Sequence, residues 1–158
     1  MPLENWKNEI DEITEAVRSN FGNLTNEQLN KKPDPDKWSI AQHLDHLQVI
    51  NRTYYPTLNA VIDGKYKRPW VGKIGWIVNF IGKMILKSVQ PEEERKIKTI
   101  AIWEPEKDPI EKDVTALFNG HQTEFKELLD QLSDSINKGV VIASPANKNI
   151  VYKLEDAI

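Results

Sequence analysis

Apolar residues at Leu3, Trp6, Ile10, Ile13, Val17 and Phe21 recur three or four positions apart with acids and lysine between them. That period predicts an amphipathic helix with one buried face, ended by Gly22. Thr25 followed by Gln28 is a capping-box pattern, so Leu24 to Leu29 is expected to form one short turn of helix. The stretch Lys31-Lys32-Pro33-Asp34-Pro35-Asp36-Lys37 then has to be irregular, because each proline pushes the residue before it out of helical geometry. A second capping box, Ser39 with Gln42, starts a helix at Ile40 that the pattern carries to about Ile62, where Asp63-Gly64 stops it. Its apolar side carries Leu44, Leu47, Ile50, Tyr54, Leu58 and Val61, and Pro56 predicts a kink near Arg52 to Tyr55.

Past a short basic connector, Lys65 to Arg68, comes the most apolar part of the chain, Trp70 to Lys87. It is expected to be a helix held by tertiary packing, since three glycines each weaken an isolated helix by ~1 kcal/mol relative to alanine. An interfacial membrane helix is the alternative, but the three lysines Lys73, Lys83 and Lys87 are few for that role, so membrane association is not expected. Pro91 to Lys96 is a charge cluster that suits a solvated turn, and Ile97 to Trp103 alternates weakly, which suggests an extended piece. The third long helix is placed from near Pro109 to about Leu132, with Val114, Leu117, Phe118, His121, Phe125, Leu128, Leu129 and Leu132 on one side. Gly139 to Pro145 and Asn149 to Tyr152 form two short extended pieces around a turn, and Leu154 to Ile158 has the pattern of the first turn of another helix.

Length and charge narrow what such a chain does. Its 158 residues suit one domain with its own core, and a net charge of −3 offers no bulk attraction for nucleic acid. The absence of cysteine removes disulfides, thiolate ligands and a cysteine nucleophile, so any metal would rest on His, Asp or Glu. Met1 to Trp6 lacks the basic segment and apolar run of a secretory signal, and a cytoplasmic location is expected.

Two of the three histidines, His43 and His46, lie three positions apart on the second helix, where their rings share one side. Helical geometry places His43 inside the apolar stripe, as a core or groove residue, and His46 at its flank. His121, central on the stripe of the third long helix, is expected to be a satisfied core histidine. Trp38, beside the cap, is expected to anchor the core. The chain contains no HExxH, phosphate-binding glycine loop, GxSxG elbow or calcium loop.

Lys37-Trp38-Ser39-Ile40-Ala41-Gln42-His43-Leu44-Asp45-His46-Leu47 resembles the signature of the DinB-like superfamily, and the order of elements along nearly the whole chain is similar to that family's. The resemblance implies a single, mainly α domain over residues 1–158: a DinB-like four-helix bundle with its last helix truncated and short extended pieces before it. It also implies that His46 ligates a divalent metal, Zn or Ni, in a hydrolase or thiol transferase acting on a small molecule or a thiol. The family's other two ligands come from a His-x-x-x-His pair on the fourth helix. That pair does not occur here, so His43 and His121 are lesser candidates, no catalytic residue is assigned, and the chain is expected to be C-terminally incomplete. The alternative reading is a non-catalytic bundle that binds an apolar ligand or forms a homodimer through an uncovered groove.

Overall fold

A computed structural model of the chain describes residues 2–88, 99–111 and 113–158. Five α-helices and one β-hairpin carry the fold: α1 (Pro2–Phe21), α2 (Asn26–Asn30), α3 (Ile40–Ile62), α4 (Gly75–Ser88), α5 (Val114–Asn137), β1 (Val141–Ser144) and β2 (Asn147–Lys153). Mainly α is therefore the fold class, with the two short extended pieces paired as antiparallel strands. The chain divides into two compact units. One comprises Met1–Arg52 with Ile100–Asp130, the other Thr53–Thr99 with Gln131–Ile158.

The first unit is built on α1, α2, the first half of α3 and most of α5. Val17, Leu29, Ala41, Leu44, Val114 and Phe118 form its core, with Phe21, Leu24, Ile40 and Ile110 packed against them. Each residue comes from an apolar stripe of its helix or from the segment leading into one, which is why four separated segments close on a single core. Ser39 Oγ accepts from the Gln42 amide at 3.2 Å and Gln42 Oε1 accepts from the Ser39 amide at 3.1 Å, so the predicted capping box fixes the start of α3. Thr25 and Gln28 do the same for α2. Ser39 is fully buried, and Ser39→Ala is expected to lower stability by about 1–2 kcal/mol, read as a shift in the urea midpoint.

The third long helix begins at Val114 and not near Pro109. Asp113 is its cap, accepting from the Ala116 amide at 3.0 Å and the Thr115 hydroxyl at 2.8 Å, and those donors hold its carboxyl below the usual range. Upstream, two asparagines of α2 divert the backbone from helix. Asn30 both accepts from the Ile110 amide at 2.8 Å and donates to its carbonyl at 3.0 Å, while Asn26 donates to the Glu111 carbonyl at 2.9 Å. The helix also runs past the expected stop at Leu132 to Asn137, and ends where Gly139 takes a positive φ of 62°.

In the second unit Val78 of α4 packs on Val141 and Val151 of the hairpin, with Val71 and Ala143 alongside. The predicted helix over Trp70 to Lys87 is split into a 3-10 turn, Trp70–Lys73, and α4 from Gly75. Gly72, inside that turn, is buried with Val141 and Arg68 side-chain atoms close to where a Cβ would stand, so a larger residue there would crowd the hairpin. Tyr54 and Tyr152 share a hydrogen bond between their hydroxyls at 2.7 Å, and the Ala143 amide donates to Tyr66 at 2.9 Å. Leu154–Ala157 forms a 3-10 turn where the first turn of an α-helix is expected. The described end of the expected extended piece is corrected likewise, since Ala101–Trp103 is a 3-10 turn. Pro91 to Lys96, expected to be a solvated turn, and Ile97 to Lys98 lie outside the described residues.

Candidate functional site

Chemistry gathers where the start of α3 meets the segment Trp103–Glu106, both within the first unit. Three polar residues of the helix hold the backbone of that segment. Gln42 Nε2 donates to the Glu106 carbonyl at 2.9 Å, the Glu106 amide donates to an Asp45 carboxylate oxygen at 2.9 Å, and His46 Nδ1 lies 2.5 Å from the Trp103 carbonyl oxygen. Positions 42, 45 and 46 fall on one helix face, so a single stretch of α3 clasps the segment at both ends.

A carbonyl oxygen only accepts, so the His46 contact places the imidazole proton on Nδ1 and leaves the lone pair on Nε2. A ring fixed in this way is prepared to ligate a metal or take a proton through Nε2. Trp38 lies against both neighbouring histidines, its ring centre 4.7 Å from that of His46 and 5.4 Å from that of His43. Trp38 is half-buried and packs on imidazoles, where the sequence suggests a core anchor.

His43 is exposed, against the expectation that it lies inside the apolar stripe. Desolvation and the neighbouring His46 hold its pKa below the ordinary value. His121 is buried on α5 as expected, and Asn51 Nδ2 lies 3.1 Å from its Nε2, which makes that nitrogen an acceptor from the amide. Its ring stacks on Phe125 with centres 6.3 Å apart, and burial together with the Arg52 charge lowers its pKa to about 4.

His43 and His46 thus share the Trp38 ring, while His121 stands in separate surroundings beside Asn51 and Phe125. Among the described residues no group of three His, Asp or Glu side chains is arranged to hold a metal ion, so these residues do not by themselves fit a three-ligand centre. Next to the clasp is a cavity of about 570 Å³ lined by Asp45, Glu106, Asp108 and Glu111, by Arg52, and by apolar residues including Val114.

The family model described as the DinB superfamily matches residues 9–147, which includes the whole clasp. The chain belongs to the DinB superfamily. A search of curated proteins finds no match, and a search of solved structures finds none. The Trp38 to Leu47 stretch that carries the resemblance lies inside the matched range, and within it Ser39 and Gln42 cap α3 while Gln42, Asp45 and His46 clasp Trp103–Glu106. The residues that sequence reasoning misses are on the clasped segment, which acts through main-chain atoms. Only Glu104-Pro105, marking a break in regular structure, signals it in the sequence.

Proposed function

We propose that this DinB-superfamily chain is a small-molecule-binding domain, with the cavity beside the α3 clasp as its site and a ligand that combines an apolar body with a positive charge. The observation that carries the reading is the lining of that cavity, in which four carboxylates stand against one guanidinium beside an apolar wall. An NMR titration of the labelled protein with n-butylammonium chloride is expected to move the Gln48 side-chain amide and the Val114 methyl signals. Sodium butyrate at the same ionic strength is expected to leave them in place. Movement with butyrate alone, or with neither, would overturn the reading.

A metal-dependent hydrolase or thiol transferase using Zn or Ni is the second reading, favoured by the orientation of His46 through the Trp103 carbonyl. It needs at least two donors besides His46, and the described residues do not gather them. Calorimetric titration with zinc or nickel chloride is therefore expected to show no 1:1 site tighter than about 10 μM, the regime of one imidazole rather than a three-donor centre. A tight stoichiometric site lost in His46→Ala would instead establish the metal reading.

A further inference from the structure

In the second unit, α4 leaves a hydrophobic face in solvent. Helix α4 has an inner side, with Val78 and Gly82 buried and Ile77, Ile81 and Ile85 half-buried. Its outer side is also apolar. Trp76 is 73% exposed, Phe80 64% and Met84 53%, and Trp70 on the preceding 3-10 turn is 72% exposed. At 100° per residue, Trp76, Phe80, Lys83, Met84 and Lys87 fall within an arc of about 100°. Two aromatics and a methionine in a row with lysines beside them differ from the charged outer face of an ordinary surface helix.

Charge selects the occupant. Residues 64–88 contain six cations, Lys65, Lys67, Arg68, Lys73, Lys83 and Lys87, and no acid, although the whole chain is net negative. All six are exposed. Asp63 and Glu92 are the nearest acids in sequence on either side, and Asp63 pairs with Lys65 at 2.8 Å. Asp156, the acid packed at Gly82, stands on the inner side of the helix. Counting only the lysines of the apolar stretch gives three, but the connector doubles that number, and the Tyr66 hydroxyl ties the connector to the hairpin by accepting from the Ala143 amide. Two copies meeting through this face would bring six cations against six, which disfavours a symmetric dimer.

We propose that α4 and its basic connector dock this protein on the surface of a lipid bilayer rich in anionic headgroups, with Trp70, Trp76, Phe80 and Met84 entering the interface and the lysines reaching the headgroups. Aromatic rings settle at the boundary between headgroups and acyl chains, and lysine stems lie along apolar surface while their ammonium groups stay in the polar layer. The attachment is peripheral, since no helix among the described residues is long and apolar enough to cross a membrane.

The full chain is to be mixed with vesicles of phosphatidylcholine alone and with vesicles holding about 30% phosphatidylserine, and binding followed by sedimentation and by the tryptophan emission maximum. Binding at least about tenfold stronger to the anionic vesicles, with a blue-shifted emission, is expected, and it should weaken as salt is raised. Trp76→Ser with Phe80→Ser, and separately Lys73→Gln, Lys83→Gln and Lys87→Gln together, should each reduce that binding about tenfold or more while the melting temperature stays near the parent's. These side chains are exposed, so the variants are expected to fold, and far-UV circular dichroism checks this. No binding to either vesicle, equal binding to both, or binding untouched by the two variant sets would overturn the proposal. So would a dimer in sedimentation velocity, without lipid, that the serine variant dissolves.

Discussion

Replacing Phe118 with alanine is expected to destabilise the protein by about 3–5 kcal/mol, the largest single-site effect predicted for the first unit. Phe118 is 1% exposed and sits among Val17, Leu29, Ala41 and Leu44, so truncation removes the ring's burial and leaves a space bordered by three helices besides its own. The neighbouring change Leu117→Ala is the control, because Leu117 is 42% exposed and its loss should cost less than about 1 kcal/mol. Urea unfolding followed by circular dichroism reads both changes. A Phe118→Ala protein within about 1 kcal/mol of the parent would contradict the packing of α5 on α1, α2 and α3.

Acidification is the second large effect. The pKa of His121 falls from its ordinary 6.5 to about 4 in the folded protein, chiefly because burial disfavours the imidazolium and secondarily because Arg52 is near. The unfolded chain therefore binds a proton more readily than the folded one between those two values. Stability from this residue is complete above pH 6.5 and is lost as pH falls toward 4, with a total on the order of 3 kcal/mol. Carboxylates also titrate at the lower end of this range, so the test is a difference. His121→Gln should flatten the stability–pH curve between pH 6.5 and 4 relative to the parent, in urea midpoints taken across that range. Parallel curves for the two proteins would show that His121 is not held neutral by the fold.

Both effects trace to stripes that are visible in the chain. The stripe over Val114 to Leu132 puts Phe118 and His121 in the interior, and the structure buries both. Stripes are less reliable at their edges. Ile13, Leu47 and Leu117 have the right spacing and are exposed, because a stripe is wider than the strip its neighbours cover. His43 fails for the same reason, since helical phase gives the direction of a side chain but not how far the opposing surface extends. Proline at position 109 misplaces the start of α5, because proline permits a first turn without requiring one. The decision lies with Asp113, which supplies a capping carboxylate, and with Asn26 and Asn30, which occupy the Ile110 and Glu111 backbone from 80 or more positions away in sequence.

The candidate site divides along the same line. Trp38 to Leu47 identifies the superfamily from sequence, and Ser39 with Gln42 is legible as a cap because its partners are three residues apart. The roles of Gln42, Asp45 and His46 toward Trp103–Glu106 are not legible. Their partners are main-chain atoms 57 to 64 positions away, and a backbone carbonyl carries no side-chain identity that a sequence pattern could register.

By itself, then, the sequence determined α1, α2 and α3, the caps of α2 and α3, the two extended pieces of the hairpin and the superfamily, because local hydrogen bonds and the period of apolar residues depend on near neighbours. Tertiary structure decided which nitrogen of His46 keeps its lone pair, that His121 is neutral and His43 exposed, and that α4 presents Trp76, Phe80 and Met84 to solvent. Each of these depends on what a side chain meets across space, and distant segments supply those surroundings only when the chain folds.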